Sequence, residues 1–265
     1  MRKAFIALCL VAAVSVPLRA DLKYTVHIEM KKVDAPVGQP PMNPMMGIVG
    51  ESMIKEMLPA GAADLVYSIG EKGSRIEYLQ AAMGQPAGSF NVSLPDGTVF
   101  VANPKDQTYW KSTVQAPAAM MEAAGMKPTS TVKRTGTFET VAGQKCEVLT
   151  FDWKMDFPIP ETTRANLPAD FPTGITMNGD TCLTTDQFKK YVDLMGKSQL
   201  SDMMSALGLK EVTQGGIPLR HTIRFGNMEL QALVTQIGEE DVPASAFEIP
   251  AGYKEVPAPT GLPVK

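Results

Sequence analysis

Residues Thr135–Met155, TGTFETVAGQKCEVLTFDWKM, form the clearest β-hairpin in the sequence, because two alternating segments flank the turn Ala142-Gly143-Gln144. Every second residue from Leu149 to Trp153 on the second strand is apolar, so this strand has one apolar face. Cys146 lies on the opposite face. The hairpin therefore predicts an antiparallel sheet in this part of the chain.

The chain begins with the pattern of a secretory signal peptide. Arg2 and Lys3 precede an apolar run from Ala4 to Val16, and the small residue Ala20 marks the cleavage position. The run is too short to span a bilayer as a helix, and no other apolar stretch is long enough. We therefore expect a signal peptide at residues 1–20, a periplasmic or secreted product, and no transmembrane segment.

Cysteine usage predicts one disulfide. Cys146 and Cys182 remain after Cys9 is removed with the leader. An oxidising compartment favours a bond between them, worth about 3–4 kcal/mol in the chain-entropy model. Two buried free thiols are the alternative.

Short strands joined by tight turns extend the sheet on both sides of the hairpin. The segment Asp21–Val33 alternates from Leu22 to Met30, which predicts a first strand with one apolar and one solvent-facing side. Glycine, asparagine and aspartate at the following turns predict a meander. The further strands are Asp64–Ile69, Ser74–Leu79, Ser89–Leu94, Thr98–Ala102, Gln107–Thr113, Pro218–Phe225 and Met228–Ile237, with a strand pair or bent strand at Ile175–Thr184 and an edge segment around Phe247-Glu248-Ile249.

Four segments predict helices. Apolar residues recur at helical spacing in the first, third and fourth segments, and Pro117 and Gly125 bound the second. Thr185 or Asp186 is the expected N-cap of the third helix. The segments are Gly47–Leu58, Ala116–Gly125, Thr185–Met195 and Ser198–Leu207, with proline-rich loops at Asp34–Pro44 and Phe157–Thr173 and a disordered tail at 256–265. No repeat or composition shift divides residues 21–255, which predicts a single domain.

Composition and motifs argue against nucleic-acid binding and catalysis. The net charge is -3 and the pI about 5.5, without a basic stripe. No nucleophile elbow, H-E-x-x-H pair or phosphate loop occurs. We expect His27 to face solvent or a sheet edge and His221 to be a partly buried, hydrogen-bonded core residue. The sequence predicts no enzymatic activity and no cofactor.

Methionine is the unusual feature of the composition, with 17 residues. Unbranched thioethers suit a pocket for varied apolar ligands, and they are also soft ligands for Cu(I). Ordinary core filling explains the same residues. Our hypothetical ligand-lining set comprises Met45, Met46, Val49, Met53, Ile54, Met57, Phe188, Tyr191, Met195, Met203, Met204 and Leu207.

Five short stretches follow one another along the chain in an order that resembles a known family. They are Arg75-Ile76-Glu77, Asn103–Trp110, Thr140–Cys146, Cys182–Thr185 and Val242–Lys254. This series resembles an uncharacterised family of exported bacterial domains of unknown function, related to the lipoprotein-localisation (LolA-like) carriers. The resemblance implies an α+β fold, in which a strongly curved, mostly antiparallel sheet forms an unclosed half-barrel with helices packed on its concave face. In the carriers that face holds acyl chains.

The leading functional hypothesis is an exported, non-enzymatic domain that binds a lipid, a lipoprotein acyl chain or another hydrophobic ligand between sheet and helices. The alternative is a structural or protein-interaction module of the cell envelope, with the half-barrel filled by its own side chains. Copper binding through methionine is the third hypothesis.

Overall fold

The first strand, β1 (Asp21–Lys32), shows in its burial the alternation that its sequence predicts. Leu22, Tyr24, Val26 and Ile28 are buried, and the residues between them are only half-buried. The structure, a computed structural model, describes residues 20–33, 55–112, 127–156, 159, 173–185, 187–195, 209, 211–212 and 215–258.

All the strands of the described residues belong to one sheet. The remaining strands are β2 (Ala62–Gly70), β3 (Gly73–Tyr78), β4 (Phe90–Ser93), β5 (Val99–Asn103), β6 (Thr108–Ser112), β7 (Lys127–Val141), β8 (Gln144–Asp156), β9 (Gly174–Thr184), β10 (Pro218–Phe225), β11 (Met228–Glu240) and β12 (Lys254–Glu255).

The strand order is β12-β6-β5-β4-β3-β2-β1-β11-β10-β9-β8-β7, and every pair is antiparallel except β12 with β6. Because β7 and β12 are not paired with each other, the sheet of the described residues is not closed. This confirms the predicted meander and the mostly antiparallel, unclosed sheet.

The β7–β8 hairpin is longer than predicted. Its turn consists of Ala142 and Gly143, with φ of 49° and 76°, so Gln144 belongs to β8. Two successive positive φ values fit a turn whose twist matches that of the strands. β7 starts at Lys127, because a register irregularity between Arg134 and Phe138 lets the pairing continue.

The predicted disulfide is confirmed. Cys146 on β8 and Cys182 on β9 are bonded, with their Cα atoms 5.3 Å apart. Both residues are fully buried. The bond ties two neighbouring strands whose connection runs through residues 157–173.

Two strand predictions were wrong. β9 is a single continuous strand and not a strand pair about Asn178-Gly179, because Gly174 to Thr184 pair with β8 in an unbroken ladder. The segment around Phe247-Glu248-Ile249 is not a strand, since residues Ala244–Phe247 form a 3-10 helix. The edge strand is β12 instead.

One predicted helix lies fully within the described residues apart from its cap. This helix, α1 (Lys189–Met195), begins later than expected, because Phe188 has a φ of 66° that no α-helix contains. Thr185 therefore does not cap it, and Asp186 lies outside the described residues. Residues 55–57 are helical and end the first predicted helix near its expected end.

The predicted helices at Ala116–Gly125 and Ser198–Leu207 lie outside the described residues, as do most of Gly47–Leu58, nearly all of the proline-rich loops and of the leader, and the tail from residue 259. The predicted disordered tail begins too early in the sequence, because the Val256 amide donates to the Tyr109 carbonyl oxygen at 2.8 Å. No helix in the described part of the chain is long and apolar enough to cross a membrane.

The sheet has two chemically different faces, since directly paired residues on neighbouring strands share a face. We call the side that carries Leu22, Tyr24, Val26 and Ile28 the apolar face. The opposite side, the polar face, carries His27, whose Nδ1 lies 2.7 Å from Asp64 Oδ1 on β2. His27 is thus half-exposed and paired on a central strand, and not at a sheet edge.

Residues 241–256, which we call the C-terminal strap, cross the polar face of β3–β6 and end with β12 at the edge of the sheet, beside β6. Pairing places Lys23, Ser68 and Arg75 in one row on that face, and Arg75 Nη1 donates to the carbonyl oxygen of Ala246 at 3.2 Å. Phe247 of the strap packs with Phe90, Val92 and Ala102.

Candidate functional site

The candidate site is the half of the apolar face formed by β8–β11 and β1. One row of directly paired residues crosses it from β8 to β1: Leu149, Thr181, His221, Ala232 and Ile28. The next row contains Phe151, Gly179, Ile223, Leu230 and Met30. His221 therefore lies among apolar side chains, near the middle of the face.

An aromatic stack fixes the His221 ring. Phe151 stacks on His221, with ring centroids 5.3 Å apart and planes inclined by 10°. The two residues are on strands separated by β9, and Gly179 lies between them on β9. A Cβ atom at Gly179 would lie 2.6 Å from Phe151 Cζ, so the missing side chain is what lets the Phe151 ring reach across.

His221 is electrically neutral at physiological pH. Burial lowers its pKa from 6.5 to about 4, because an imidazolium would lose its hydration there. Asp180 partly opposes this shift and Arg220 adds to it. These two residues form an ion pair on the polar face, where Asp180 also contacts Arg224 Nη1 at 3.2 Å.

The Nδ1 atom of His221 is buried and has no hydrogen-bond partner among the described residues. The predicted burial of His221 is correct, whereas the predicted hydrogen bond is not made at this atom. A buried polar atom without a partner costs about 1–3 kcal/mol, so native proteins rarely retain one. The nitrogen therefore has unused hydrogen-bonding capacity on the apolar face.

One end of the candidate site is only partly buried. Phe151 and Trp153 are buried there against Leu209 and Val212. Around them lie half-buried apolar side chains on five strands, which are Met155 on β8, Ile175 and Met177 on β9, Ile223 on β10, Leu230 on β11 and Met30 on β1. We call these six residues the methionine rim.

The other end of the apolar face is packed against α1. Tyr191 of α1 is buried, and its hydroxyl lies 2.7 Å from the Ala20 carbonyl oxygen and 3.0 Å from Glu239 Oε1. Lys190 Nζ contacts the same carboxylate at 2.9 Å, and both contacts lower the Glu239 pKa. Leu22 and Ile69 are almost completely buried at this end.

A small cavity lies beside α1 but does not fit a lipid. It has a volume of about 90 Å³ and is lined by Leu194 and by the β2–β3 and β4–β5 turns, including Glu71 and Pro95. Typical small-molecule sites have volumes of about 300–1,000 Å³. This cavity is therefore not the candidate site.

Known proteins resemble this chain in structure and not in sequence. The sequence matches no protein-family model and no curated protein. Among solved structures, the chain is similar to the crystal structure of the lipoprotein LppX of Mycobacterium tuberculosis, with 10% sequence identity and a TM-score of 0.31. The match covers 80% of this chain and 84% of that chain. The resemblance to the lipoprotein-localisation carriers stays a prediction from sequence.

Three members of the predicted ligand-lining set have described side chains. Phe188 and Tyr191 lie together at the α1 end of the sheet, with ring centroids 6.3 Å apart. Met57 lies at the opposite end, where its carbonyl oxygen accepts a hydrogen bond from the Met83 amide. Ala20 and Met30 mark these two ends and are about 30 Å apart along β1. The side chains of Met45, Met46, Val49, Met53, Ile54, Met195, Met203, Met204 and Leu207 lie outside the described residues.

The sequence predicted ligand-lining methionines on helices and in the preceding loop, and it did not predict the methionines of the rim, which lie on strands. Met155 and Met177 alternate with polar neighbours on β8 and β9, a signal that was available but weak because each is a single residue in a strand. The Phe151–His221 stack had no sequence signal, since it depends on the register of three strands and on the absence of a side chain at Gly179.

Proposed function

We propose that this protein is exported and non-enzymatic, and that it binds a lipid or another hydrophobic ligand on the apolar face at the methionine rim. The observation that carries this proposal is the contrast between the two ends of one face. At the α1 end Leu22 is completely buried, whereas six apolar side chains on neighbouring strands of the rim remain partly exposed. A contiguous apolar surface that is only half-buried is a candidate binding site for a hydrophobic ligand.

The chemistry of the rim suits an alkyl chain of variable structure. Half of its members are methionines, whose unbranched, polarizable side chains adapt to different apolar shapes. No charged side chain belongs to either of the two rows that cross the site. An apolar chain lying there would not displace a charged group from its solvent.

Native mass spectrometry with organic extraction tests the proposal on protein purified from its host without detergent. We expect a bound lipid in the extract. We also expect saturable binding of diphenylhexatriene, an alkene probe without polar groups that fluoresces when it leaves water. A lipid-free mass together with no saturable fluorescence would contradict the proposal.

Two neighbouring residues of β9 provide a matched pair of variants. Met177 belongs to the rim, whereas Thr176 is exposed on the other face of the same strand. Met177→Lys should weaken diphenylhexatriene binding at least about tenfold, because a charge would be placed beside the probe. Thr176→Lys should leave binding unchanged. Equal loss in both variants would place the probe elsewhere.

The alternative, a structural or interaction module with a filled sheet, is favoured by the α1 end. Leu65 and Ile69 are buried there together with Tyr191, so that end has the packing of an ordinary core. If no apolar probe binds at the rim, this alternative becomes the better explanation. Copper binding stays a prediction, and an anaerobic Cu(I) titration tests it.

A further inference from the structure

His221 is the feature of the candidate site that ordinary packing does not explain. Its buried Nδ1 atom has no hydrogen-bond partner among the described residues. The residue lies between Thr181 and Ala232, in a row that contains no charged side chain. Thr181 does not compensate: its hydroxyl donates to the Arg220 carbonyl oxygen at 3.2 Å and makes no hydrogen bond with Nδ1. A phenylalanine would make the same stack on Phe151 without the cost of an unpaired nitrogen.

We propose that His221 is the polar anchor of the ligand, and that its Nδ1 hydrogen bonds to the hydroxyl or un-ionised carboxyl head group of a single-chain amphiphile. This inference rests on the proposed function, because it places the alkyl chain of the same ligand against the methionine rim. The rim residue Ile223 follows His221 by two positions on β10, so both side chains are on one face and about 7 Å apart.

The class of head group follows from the chemistry of a neutral imidazole. Such a ring has one N–H group and one bare nitrogen, so Nδ1 either donates or accepts a hydrogen bond. An O–H group can match both cases, because it donates to a bare nitrogen or accepts from an N–H. A carboxylate would in contrast bring an unpaired charge among Ala232, Ile28 and Leu149, which is costly.

Binding of three probes of nearly equal size tests the anchor directly. 1-Dodecanol donates and accepts hydrogen bonds, dodecyl methyl ether only accepts, and tridecane does neither. Displacement of diphenylhexatriene from the full-length protein gives their relative affinities. We expect dodecanol to bind about five- to tenfold more tightly than tridecane, which corresponds to one hydrogen bond in a buried site. The ether should follow the alcohol if Nδ1 carries the proton, and the alkane if it does not.

The variant His221→Phe keeps a ring that can stack on Phe151 but removes the nitrogen. In this variant dodecanol should lose its advantage, whereas tridecane should bind as well as to the wild type. His27→Asn, on the polar face, is the matched control and should retain the preference for dodecanol. A preference that persists in His221→Phe, or equal affinities of all probes for the wild type, would overturn the anchor.

Lauric acid distinguishes an acid head group from an alcohol. If the un-ionised acid is bound, its affinity for the wild type should rise as the pH falls towards the carboxyl pKa, and the affinity of dodecanol should change less. Equal affinity of laurate and dodecanol at neutral pH would contradict the requirement for an uncharged head group.

The Nδ1 nitrogen can also be observed without a variant. The chain has two histidines, so His27→Asn leaves one imidazole in the spectrum. Its Nδ1 nitrogen-15 chemical shift should move on addition of dodecanol and stay in place with tridecane. A shift that is insensitive to both would overturn the anchor. If the anchor is overturned but diphenylhexatriene and tridecane still bind, the proposed function stands without the anchor. If neither probe binds, the proposed function and the anchor both fail.

Discussion

At the scale of single residues, His221 shows how far its environment departs from water. Its ring stacks on Phe151, and its Nδ1 atom is sealed from solvent. Desolvation is the largest cause of its lowered pKa, and the opposing effects of Asp180 and Arg220 are smaller. The folded chain therefore resists protonation of this residue.

The stability of the protein should fall on acidification because of His221. The unfolded chain protonates this residue near pH 6.5, whereas the folded chain does so only near pH 4. Between these values the unfolded state binds the additional proton, so the free energy of unfolding decreases as the pH falls. The expected loss from pH 7 to pH 4 is about 3 kcal/mol, measured by urea denaturation. The residue should be neutral in both states above pH 7, where this contribution is constant.

The variant His221→Phe isolates this contribution. It should lose about 3 kcal/mol less than the wild type over the same pH interval, since it lacks the buried imidazole at position 221. Identical pH dependence of the two proteins would show that His221 is accessible to protons in the folded state.

At the scale of elements, β9 depends on the single glycine at its centre. A Cβ atom at Gly179 would overlap the carbonyl oxygen of Thr222 on β10 and also approach the Phe151 ring on β8. The strand is therefore held closely between two neighbours, and a side chain at this position would force at least one of them apart. The same glycine makes the stack on His221 possible.

Gly179→Ala should destabilise the protein by about 1–3 kcal/mol, because the backbone of β10 cannot move as freely as a side chain could. Gly238, on β11, is the matched control: nothing lies within 4 Å of its Cβ position. Gly238→Ala should change stability by no more than about 0.5–1 kcal/mol, and the sign should favour the folded state. Thermal denaturation of both variants measures the difference, and equal effects would mean that the close approach at Gly179 is not maintained.

The elements were predictable where they depend on local chemistry. The alternation of β1 and the turn at Ala142-Gly143-Gln144 predicted strands that the structure contains. The continuity of β9 was not predictable, because Asn178-Gly179 is also a good turn sequence. Its extended conformation is stabilised by ladders to both β8 and β10, which no local pattern reveals.

At the scale of the whole molecule, the C-terminal strap completes the sheet. Lys254 donates its amide to the Gln107 carbonyl oxygen at 2.9 Å, and Glu255 contacts Lys111 at 3.2 Å. The Arg75 guanidinium lies 3.6 Å from the centroid of the Phe90 ring, beneath the strap. A separate apolar core is thereby formed on the polar face, on the side of the sheet away from the methionine rim.

Phe247→Ala should destabilise the protein by about 3–4 kcal/mol, because Phe247 is buried in this second core and its removal leaves a cavity. Leu79 is 45% exposed and serves as the control, since Leu79→Ala should cost less than about 0.5 kcal/mol. Urea denaturation gives both values. Binding of diphenylhexatriene should be unaffected by either variant below the unfolding transition.

The candidate site was less predictable than the sheet that carries it. Sequence patterns identified apolar strands and an abundance of methionine, but the site combines residues from five strands that are distant in sequence. Met30 and Met155 are separated by almost half of the chain, and only the strand order brings them to one end of the same face. That order depends on tertiary packing, because β1 pairs with β11 and not only with its neighbour in sequence.

The pairing of β1 with β11 also has a consequence for how the chain folds. Lys23 and Glu240, which contact each other at 3.0 Å, are 217 positions apart. During synthesis the N-terminal part of the chain appears first, so the β2–β6 meander can form early. One edge of β1 stays unpaired until β11 has been synthesised, when almost the whole chain is present. Folding should therefore be slow and limited by this late, long-range closure. Until then the open edge of β1 is the surface at which nascent chains would associate with each other.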